Sequence, residues 1–180
     1  MNIVTTEKFI VNDLQIADAA NLFAMMSANS QRFQRYFPKT LGQNLSKADS
    51  TVYILRKQKE NATQIEFTWG IRDASNHKVV GLLILKELHW DECIGEFAYC
   101  IDKNYEGKGW ISQIVKETSR YAFETLKLKT LQIIAHHTNK GSVQVAKKCD
   151  FKWQKTLNAL HTPPGEKPLD MELYELYHER

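Results

Sequence analysis

The chain has 180 residues, the length of one ordinary domain, which buries a core without disulfide or metal support. Hydrophobic residues make up 43% and charged residues 25% of it, and this composition excludes a disordered chain. The net charge of +3 is too small to indicate a dedicated nucleic-acid-binding protein.

The first 40 residues predict a strand, a helix and a short aromatic segment. Residues 3–11 read as a strand, and Asp13 stands where it would cap the helix that follows. The apolar stripe of that helix consists of Ile16, Ala19, Ala20, Phe23 and Met26. Arg32 and Arg35 belong to the aromatic segment at residues 32–37, and they would favour a bound molecule with carboxylates if they face a binding site.

A second helix is predicted after residue 46. Ser46, with Asp49 three residues later, resembles a capping box in which Asp replaces Glu. The helix runs through Val52, Leu55 and Arg56 toward Lys59. The N-terminal third is therefore predicted to be mainly helical.

Three runs in the middle of the chain read as strands of an antiparallel meander, at residues 64–72, 78–86 and 93–101. A turn-rich stretch at residues 73–77 joins the first two. Residues 79–85 are apolar at every position, which predicts a central strand covered on both faces.

The second half of the chain alternates helices and strands. A helical stripe consists of Ile111, Ile114, Val115, Thr118, Ala122 and Leu126. The following elements are a strand at 130–135, a helix at 139–148, a strand from Phe151, a loop at 159–168 and a strand at 170–177. This order predicts a single α/β (α+β) domain over residues 1–180, with a central mixed, mostly antiparallel twisted sheet and helices on both faces.

Signals for a membrane, a metal or disulfides are weak. The longest apolar run, at residues 79–85, is far shorter than the about 20 residues of a membrane-spanning helix, and the N-terminus lacks the regions of a secretory signal. The three cysteines, Cys93, Cys100 and Cys149, form no CxxC pair, and the histidines have no ligand spacing. We expect a cytoplasmic protein with no metal, whose thiols are reduced and buried.

The segment at residues 101–111 has the pattern of an anion-binding loop. A strand ends there, Gly107 and Gly109 lie two apart around Lys108, and a long helix begins. Such a junction presents backbone N–H groups and the positive end of a helix to an anion, and the glycines permit positive φ. The same spacing also occurs in simple turns. The loop lacks the Gly-Lys-Ser/Thr ending of ATP-binding loops and the third glycine of NAD-binding loops.

Several motifs together resemble those of a known family. Residues 95–110, residues 121–124, residues 139–142 and Phe151 match, in order and spacing, the GNAT acetyltransferases, and within them the branch of ribosomal-protein N-terminal acetyltransferases (RimJ/RimL-like). The resemblance covers nearly the whole chain. It implies acetyl-CoA as the donor and a protein N-terminal amine or a small amine as the acceptor, with direct transfer in a ternary complex. Dimers are frequent in this branch, and the sequence leaves the oligomeric state open.

The resemblance also assigns cofactor-binding positions. The loop that holds the pyrophosphate matches Glu106, Gly107, Lys108, Gly109, Trp110 and Ile111, and the backbone beside the pantetheine arm matches Tyr99, Cys100 and Ile101. Asn139 matches an Asn whose side-chain amide bonds that arm. Three positions depart from the family pattern: Glu106 replaces Gln or Arg, Ile111 replaces a small residue, and Asp150 replaces the Gly before Phe151.

Two residues are candidates for the chemistry. Strand alternation puts Glu96 on an apolar face, where burial raises a carboxyl pKa toward the value that suits a general base. The alternatives are a Glu on an exposed strand face and Glu92 as the base. Ala146 stands where many GNAT enzymes have a Tyr acid, so Ser142 is the proposed donor to the CoA sulfur, although it can also cap a helix.

A second hypothesis belongs to another class of protein. The departures at Glu106, Ile111 and Ala146 also fit a CoA-binding or protein-interaction module without transferase activity. No nucleic-acid partner is expected.

Overall fold

The computed structural model describes residues 2–178. The strands of this part of the chain are β1 (Asn2–Thr5), β2 (Phe9–Asp13), β3 (Phe67–Asp73), β4 (Val79–His89), β5 (Ile94–Ile101), β6 (Thr130–Ala135), β7 (Lys152–His161) and β8 (Leu169–Tyr177). The helices are α1 (Ala19–Ala28), α2 (Ser30–Tyr36), α3 (Pro38–Gly42), α4 (Lys47–Ala62), α5 (Trp110–Glu124) and α6 (Lys140–Lys148).

The strands form one mixed sheet in the order β1-β2-β3-β4-β5-β6-β8-β7. The pairs β1–β2, β2–β3, β6–β8 and β7–β8 are antiparallel, and β5–β6 is parallel. The predicted α/β class and the mixed, mostly antiparallel sheet are therefore confirmed. The chain divides into two compact units, the first running to Ile84 and including Tyr99–Lys108, the second made of Leu85–Ala98 and the chain from Gly109 on.

The first unit begins with a hairpin rather than with the single strand predicted at residues 3–11. The chain reverses after β1 because Thr6 organises a tight turn. The Thr6 backbone N–H donates to the Phe9 carbonyl at 2.9 Å, and its hydroxyl accepts from the Lys8 and Phe9 N–H groups at 3.2 and 3.0 Å. Local side-chain hydrogen bonds of this kind compete with an extended backbone.

The cap predicted at Asp13 is wrong, because Asp13 ends β2 and a 3-10 turn at Ile16–Asp18 leads into α1. In that turn the Asp18 carboxylate accepts from the Gln15 N–H at 2.7 Å. The buried face of α1 consists of Ala19, Leu22, Met25 and Met26, whereas Ile16 is exposed. The buried stripe therefore differs from the predicted one.

Helix α4 begins as predicted. The Ser46 hydroxyl accepts from the Asp49 N–H at 3.1 Å, which satisfies one of the unpaired donors of the first turn. Its buried face is formed by Ser50, Tyr53, Ile54 and Lys57, so Val52 and Leu55 point to solvent.

Strand β4 is buried from Val79 to Leu85, as its apolar run predicts. Gly81 is required within it, because a Cβ at this position would lie 2.5 Å from the Cys100 carbonyl oxygen. The core of the first unit packs Leu82 and Cys100 with the apolar residues of α1, α2 and α4.

The second unit holds α5, α6 and the C-terminal hairpin of β7 and β8. The loop predicted at residues 159–168 is shorter than expected, since β7 extends to His161. Ala159 adopts a φ of 49°, and its N–H donates to the Asp170 carboxylate at 2.7 Å. This bond keeps residues 159–161 in the hairpin despite the irregular register.

Candidate active site

The glycine loop has the backbone conformation that its sequence predicts. Gly107 and Gly109 have φ values of 72° and 75°, in the left-handed region. A Cβ at either position would meet no atom within 4 Å. Glycine is therefore favoured by the left-handed backbone and not by a lack of space for a side chain. Gly109 is the N-cap of α5, which leaves the first N–H groups of that helix without intrahelical partners.

Trp110 and Ile111 contribute to this loop through their backbone. Both side chains are buried in α5. The replacement of a small residue by Ile111 therefore leaves the N–H groups of the first helical turn in position, because its side chain belongs to the core. Lys108 precedes Gly109 in the chain, and its ammonium lies 4.6 Å from the centre of the Tyr105 ring.

Glu106, the acidic residue at the start of the loop, is paired with Arg32 of α2. The same guanidinium donates to the Ile101 carbonyl at 3.3 Å. The Arg32 guanidinium is therefore engaged by groups of this chain, at Glu106 and at the Ile101 carbonyl. Cys100, next to Ile101, is buried, and burial raises the pKa of its thiol to about 12.

Glu96 is a buried carboxylate in the second unit. It is 9% exposed, and its Oε1 lies 2.8 Å from the Lys86 ammonium. Burial raises the pKa of Glu96, while the Lys86 charge opposes this shift. The exposed-strand alternative is wrong for Glu96, whereas Glu92 is exposed in the turn before β5.

The start of α6 separates the two roles considered for Ser142. Asn139 is the N-cap, and its Oδ1 accepts from the Ser142 N–H at 3.2 Å. The prediction that Ser142 caps the helix is therefore wrong. Ser142 is half-buried in the first turn, and Ala146 is fully buried one turn later.

The parallel ladder between β5 and β6 is short. It joins Ile94–Phe97 to Thr130–Ile133, whereas β5 continues to Ile101. The backbone of residues 98–101, which includes Tyr99, therefore continues beyond Phe97, the last residue of β5 in this ladder.

Among residues 2–178, no group of three or more His, Cys, Asp or Glu side chains is arranged so that it could hold a metal ion. Within the same range, no helix has both the length and the apolar character to cross a membrane. The three cysteines are free thiols, but Cys93 is only half-buried, in contrast to the predicted burial.

Two partners in these sites were not identified from the sequence. Lys86 lies on the strand before that of Glu96, but a connection of four residues puts Glu87, and not Lys86, opposite Glu96 in a regular hairpin. Arg32 carried no sequence signal either, because 74 residues separate it from Glu106.

A family model described as an acetyltransferase (GNAT) domain matches residues 8–152. A curated relative, the probable N-acetyltransferase YjcK of Bacillus subtilis (strain 168), is 26% identical over 150 residues, which are 78% of this chain and 78% of that protein.

Solved structures of several acetyltransferases have the same fold. The ribosomal-protein-S5-alanine acetyltransferase from Vibrio fischeri superposes with a TM-score of 0.91 at 17% identity, over 99% of this chain and 97% of that one. The RimL ribosomal L7/L12 α-N-protein acetyltransferase in complex with coenzyme A superposes with a TM-score of 0.87 at 14% identity, over 98% of each chain.

Proposed function

The chain belongs to the GNAT acetyltransferase family and is an acetyl-CoA-dependent acyltransferase, and from this premise we propose that it acetylates a primary amine by direct transfer in a ternary complex. The acceptor is a protein N-terminal amine of the ribosomal-protein type or a small amine. Two relatives named for ribosomal-protein substrates share the fold over nearly the whole chain, which supports the first of these acceptors.

The glycine loop carries the proposal. Left-handed backbone at Gly107 and Gly109 turns the chain into the N-terminus of α5, and successive N–H groups at a helix N-terminus bind phosphate. The residues that would hold the pyrophosphate are therefore Gly107, Lys108 and Gly109, with the N–H groups of Trp110 and Ile111. Asn139 offers its side-chain amide to the pantetheine arm, and residues 99–101 offer their backbone groups.

Acetyl-CoA supplies the acetyl group as an activated thioester when it is bound. An attacking amine must be neutral, and Glu96 is the proposed base that removes its proton, directly or through a water. Burial raises the pKa of Glu96, and a carboxylate with a raised pKa holds a proton better at neutral pH. Lys86, 2.8 Å away, favours the ionised form that must exist before a proton is taken up.

The departing thiolate needs a hydrogen-bond donor, and Ser142 is the proposed one. Its backbone N–H is fixed by Asn139, which holds the residue in the first turn of α6. Because Asn139 supplies the cap, the hydroxyl of Ser142 is not needed for that role.

Two measurements test the function. Isothermal titration with acetyl-CoA should give saturable binding, and the absence of binding at high micromolar concentration would exclude the proposal. Acetyl transfer should then be detected by mass spectrometry on a panel of ribosomal-protein N-terminal peptides and small amines. Binding of acetyl-CoA without transfer to any amine of a broad panel would favour the module without activity.

A further inference from the structure

A cation from helix α2 is bound to the acidic residue at the start of the glycine loop. The Arg32 guanidinium pairs with the Glu106 carboxylate, with 32% and 51% of the two side chains exposed. Both residues belong to the first compact unit. The pair joins parts of the chain that are 74 residues apart.

Arg32 is held by other acceptors besides Glu106. Its Nη1 donates to Asn29 Oδ1 at 2.6 Å and to the Ile101 carbonyl at 3.3 Å. Asn29 is itself fixed, since it is 3% exposed and its Nδ2 donates to the Met25 carbonyl at 2.9 Å and to Asp102 Oδ2 at 2.8 Å. The guanidinium therefore has a defined position beside the loop, unlike an ordinary surface cation.

The charge at this position of the loop matters for an anionic ligand. A carboxylate beside a pyrophosphate repels it, and the resemblance to the family makes Gln or Arg the usual residue where this chain has Glu106. We infer that Arg32 is a positioning residue for the coenzyme. Its guanidinium cancels the charge of Glu106, so that the carboxylate no longer repels a pyrophosphate bound at the loop. This inference rests on the proposed binding of acetyl-CoA at the loop.

A competing explanation is that the pair only anchors the loop. Charge compensation and anchoring predict different results when Glu106 is neutralised, because Glu106→Gln breaks the ion pair but also removes the repelling charge. Since the pair is partly exposed, its electrostatic effect is modest and is screened by salt.

The experiment measures acetyl-CoA dissociation constants by isothermal titration for the wild type and for variants at these two positions. Compensation predicts that Arg32→Ala weakens binding about fivefold, that Glu106→Gln binds as tightly as the wild type or more tightly, and that the double variant returns to within about twofold of the wild type. Anchoring predicts instead that Glu106→Gln and the double variant are as weak as Arg32→Ala, and this outcome would overturn the inference.

Salt gives a readout that a purely structural role does not change. The ratio of dissociation constants between Arg32→Ala and the wild type should shrink toward one as salt rises, because the repulsion by Glu106 is then screened. A ratio that is constant from low to high salt contradicts compensation. Arg32→Lys, which keeps the charge, should bind like the wild type, and Arg32→Gln serves in place of Arg32→Ala if that variant does not fold.

Lys39→Ala is the matched control. Lys39 is an exposed cation of α3 in the same unit, so its removal changes the net charge equally and should leave acetyl-CoA binding unchanged. A loss equal to that of Arg32→Ala would mean that net charge alone matters, which overturns the inference. Failure of the proposed function is distinguishable, because the wild type itself would then bind no acetyl-CoA.

Discussion

Glu96 combines burial with a nearby cation, and these act on its carboxyl in opposite directions. Burial disfavours the ionised form and dominates, while the Lys86 ammonium 2.8 Å away favours it. An ion pair alone would lower a carboxyl pKa, whereas the pKa of Glu96 is raised overall because burial has the larger effect. Substitution of Glu96 is therefore expected to change both the rate of acetyl transfer and the stability in a pH-dependent way.

If Glu96 is the general base, Glu96→Gln should lower the rate of acetyl transfer by roughly 100-fold at pH 7. The loss should be smaller at pH 9, because an N-terminal amine with a pKa of about 8 is then largely neutral without help. Initial rates at saturating acetyl-CoA measure both values. Glu92→Gln tests the alternative base and should keep the wild-type rate, since Glu92 is exposed in the turn before β5. Equal losses at the two pH values would remove the assignment of Glu96 as base.

The same residue predicts a pH dependence of stability. A carboxyl whose pKa is raised in the folded state binds more protons there than in the unfolded chain. Its contribution to stability is therefore complete below the ordinary Glu pKa of 4.5 and is lost as the pH rises through the raised folded value. The difference in free energy of unfolding between the wild type and Glu96→Gln should shift against the wild type from pH 4.5 to pH 8 in urea titrations. An unchanged difference would contradict a raised pKa.

At the scale of elements, the end of helix α6 shows how a departure from the family pattern is accommodated. Asp150 has a φ of 64°, and its N–H donates to the Lys147 carbonyl at 3.3 Å while the Phe151 N–H donates to the Ala146 carbonyl at 3.0 Å. These two bonds form a Schellman motif, in which the left-handed residue is usually Gly. The turn therefore forms with Asp, at a cost in backbone energy.

Asp150→Gly should consequently stabilise the protein by about 0.5 to 1 kcal/mol, because Gly adopts this backbone without the Cβ clash. Asp150→Ala should destabilise it, since Ala lacks both the tolerance of Gly and the local hydrogen bonding of Asp. Asp150→Asn separates charge from conformation, because an acidic group near a helix C-terminus is itself unfavourable. Thermal unfolding measures the series, and a stable Ala variant beside an unstable Gly variant would refute the explanation.

For the molecule as a whole, the modest net charge is compatible with a local site for one anion. A net charge of +3 does not draw a polyanion, but an anion site made of backbone N–H groups and one lysine needs no basic protein. If the chain acetylates an amine as proposed, we expect the helices of the N-terminal third, the connection between β7 and β8, or a partner to select the acceptor.

We expect the chain to behave as one domain that is stabilised by its coenzyme. Calorimetry should record one unfolding transition, and acetyl-CoA at about 100 times its dissociation constant should add about 2.7 kcal/mol. For a chain of this length, that free energy raises the melting temperature by roughly 5 to 10 °C. Nucleosides, which lack the pyrophosphate, serve as the control and should give no shift in melting temperature. Two separate transitions, or a shift that is independent of acetyl-CoA concentration, would contradict this expectation.

The features that were predictable from the sequence depend on residues close together in the chain. The Ser46 cap, the positive φ of Gly107 and Gly109 and the buried run of β4 follow from local hydrogen bonding, backbone sterics and apolar pattern. Even local prediction failed where two signals competed, as at Thr6, whose hydroxyl turns the chain that an apolar alternation would have kept extended.

Sequence alone determined that this chain is an α/β domain with a glycine loop before a long helix, because residue type and the spacing of residues along the chain determine these properties. Only the tertiary structure decided what neutralises the two carboxylates that matter, Glu106 by Arg32 and Glu96 by Lys86. The physical reason is that the strength and partner of an ion pair depend on distance and burial, which the packing of strands and helices sets and local pattern does not.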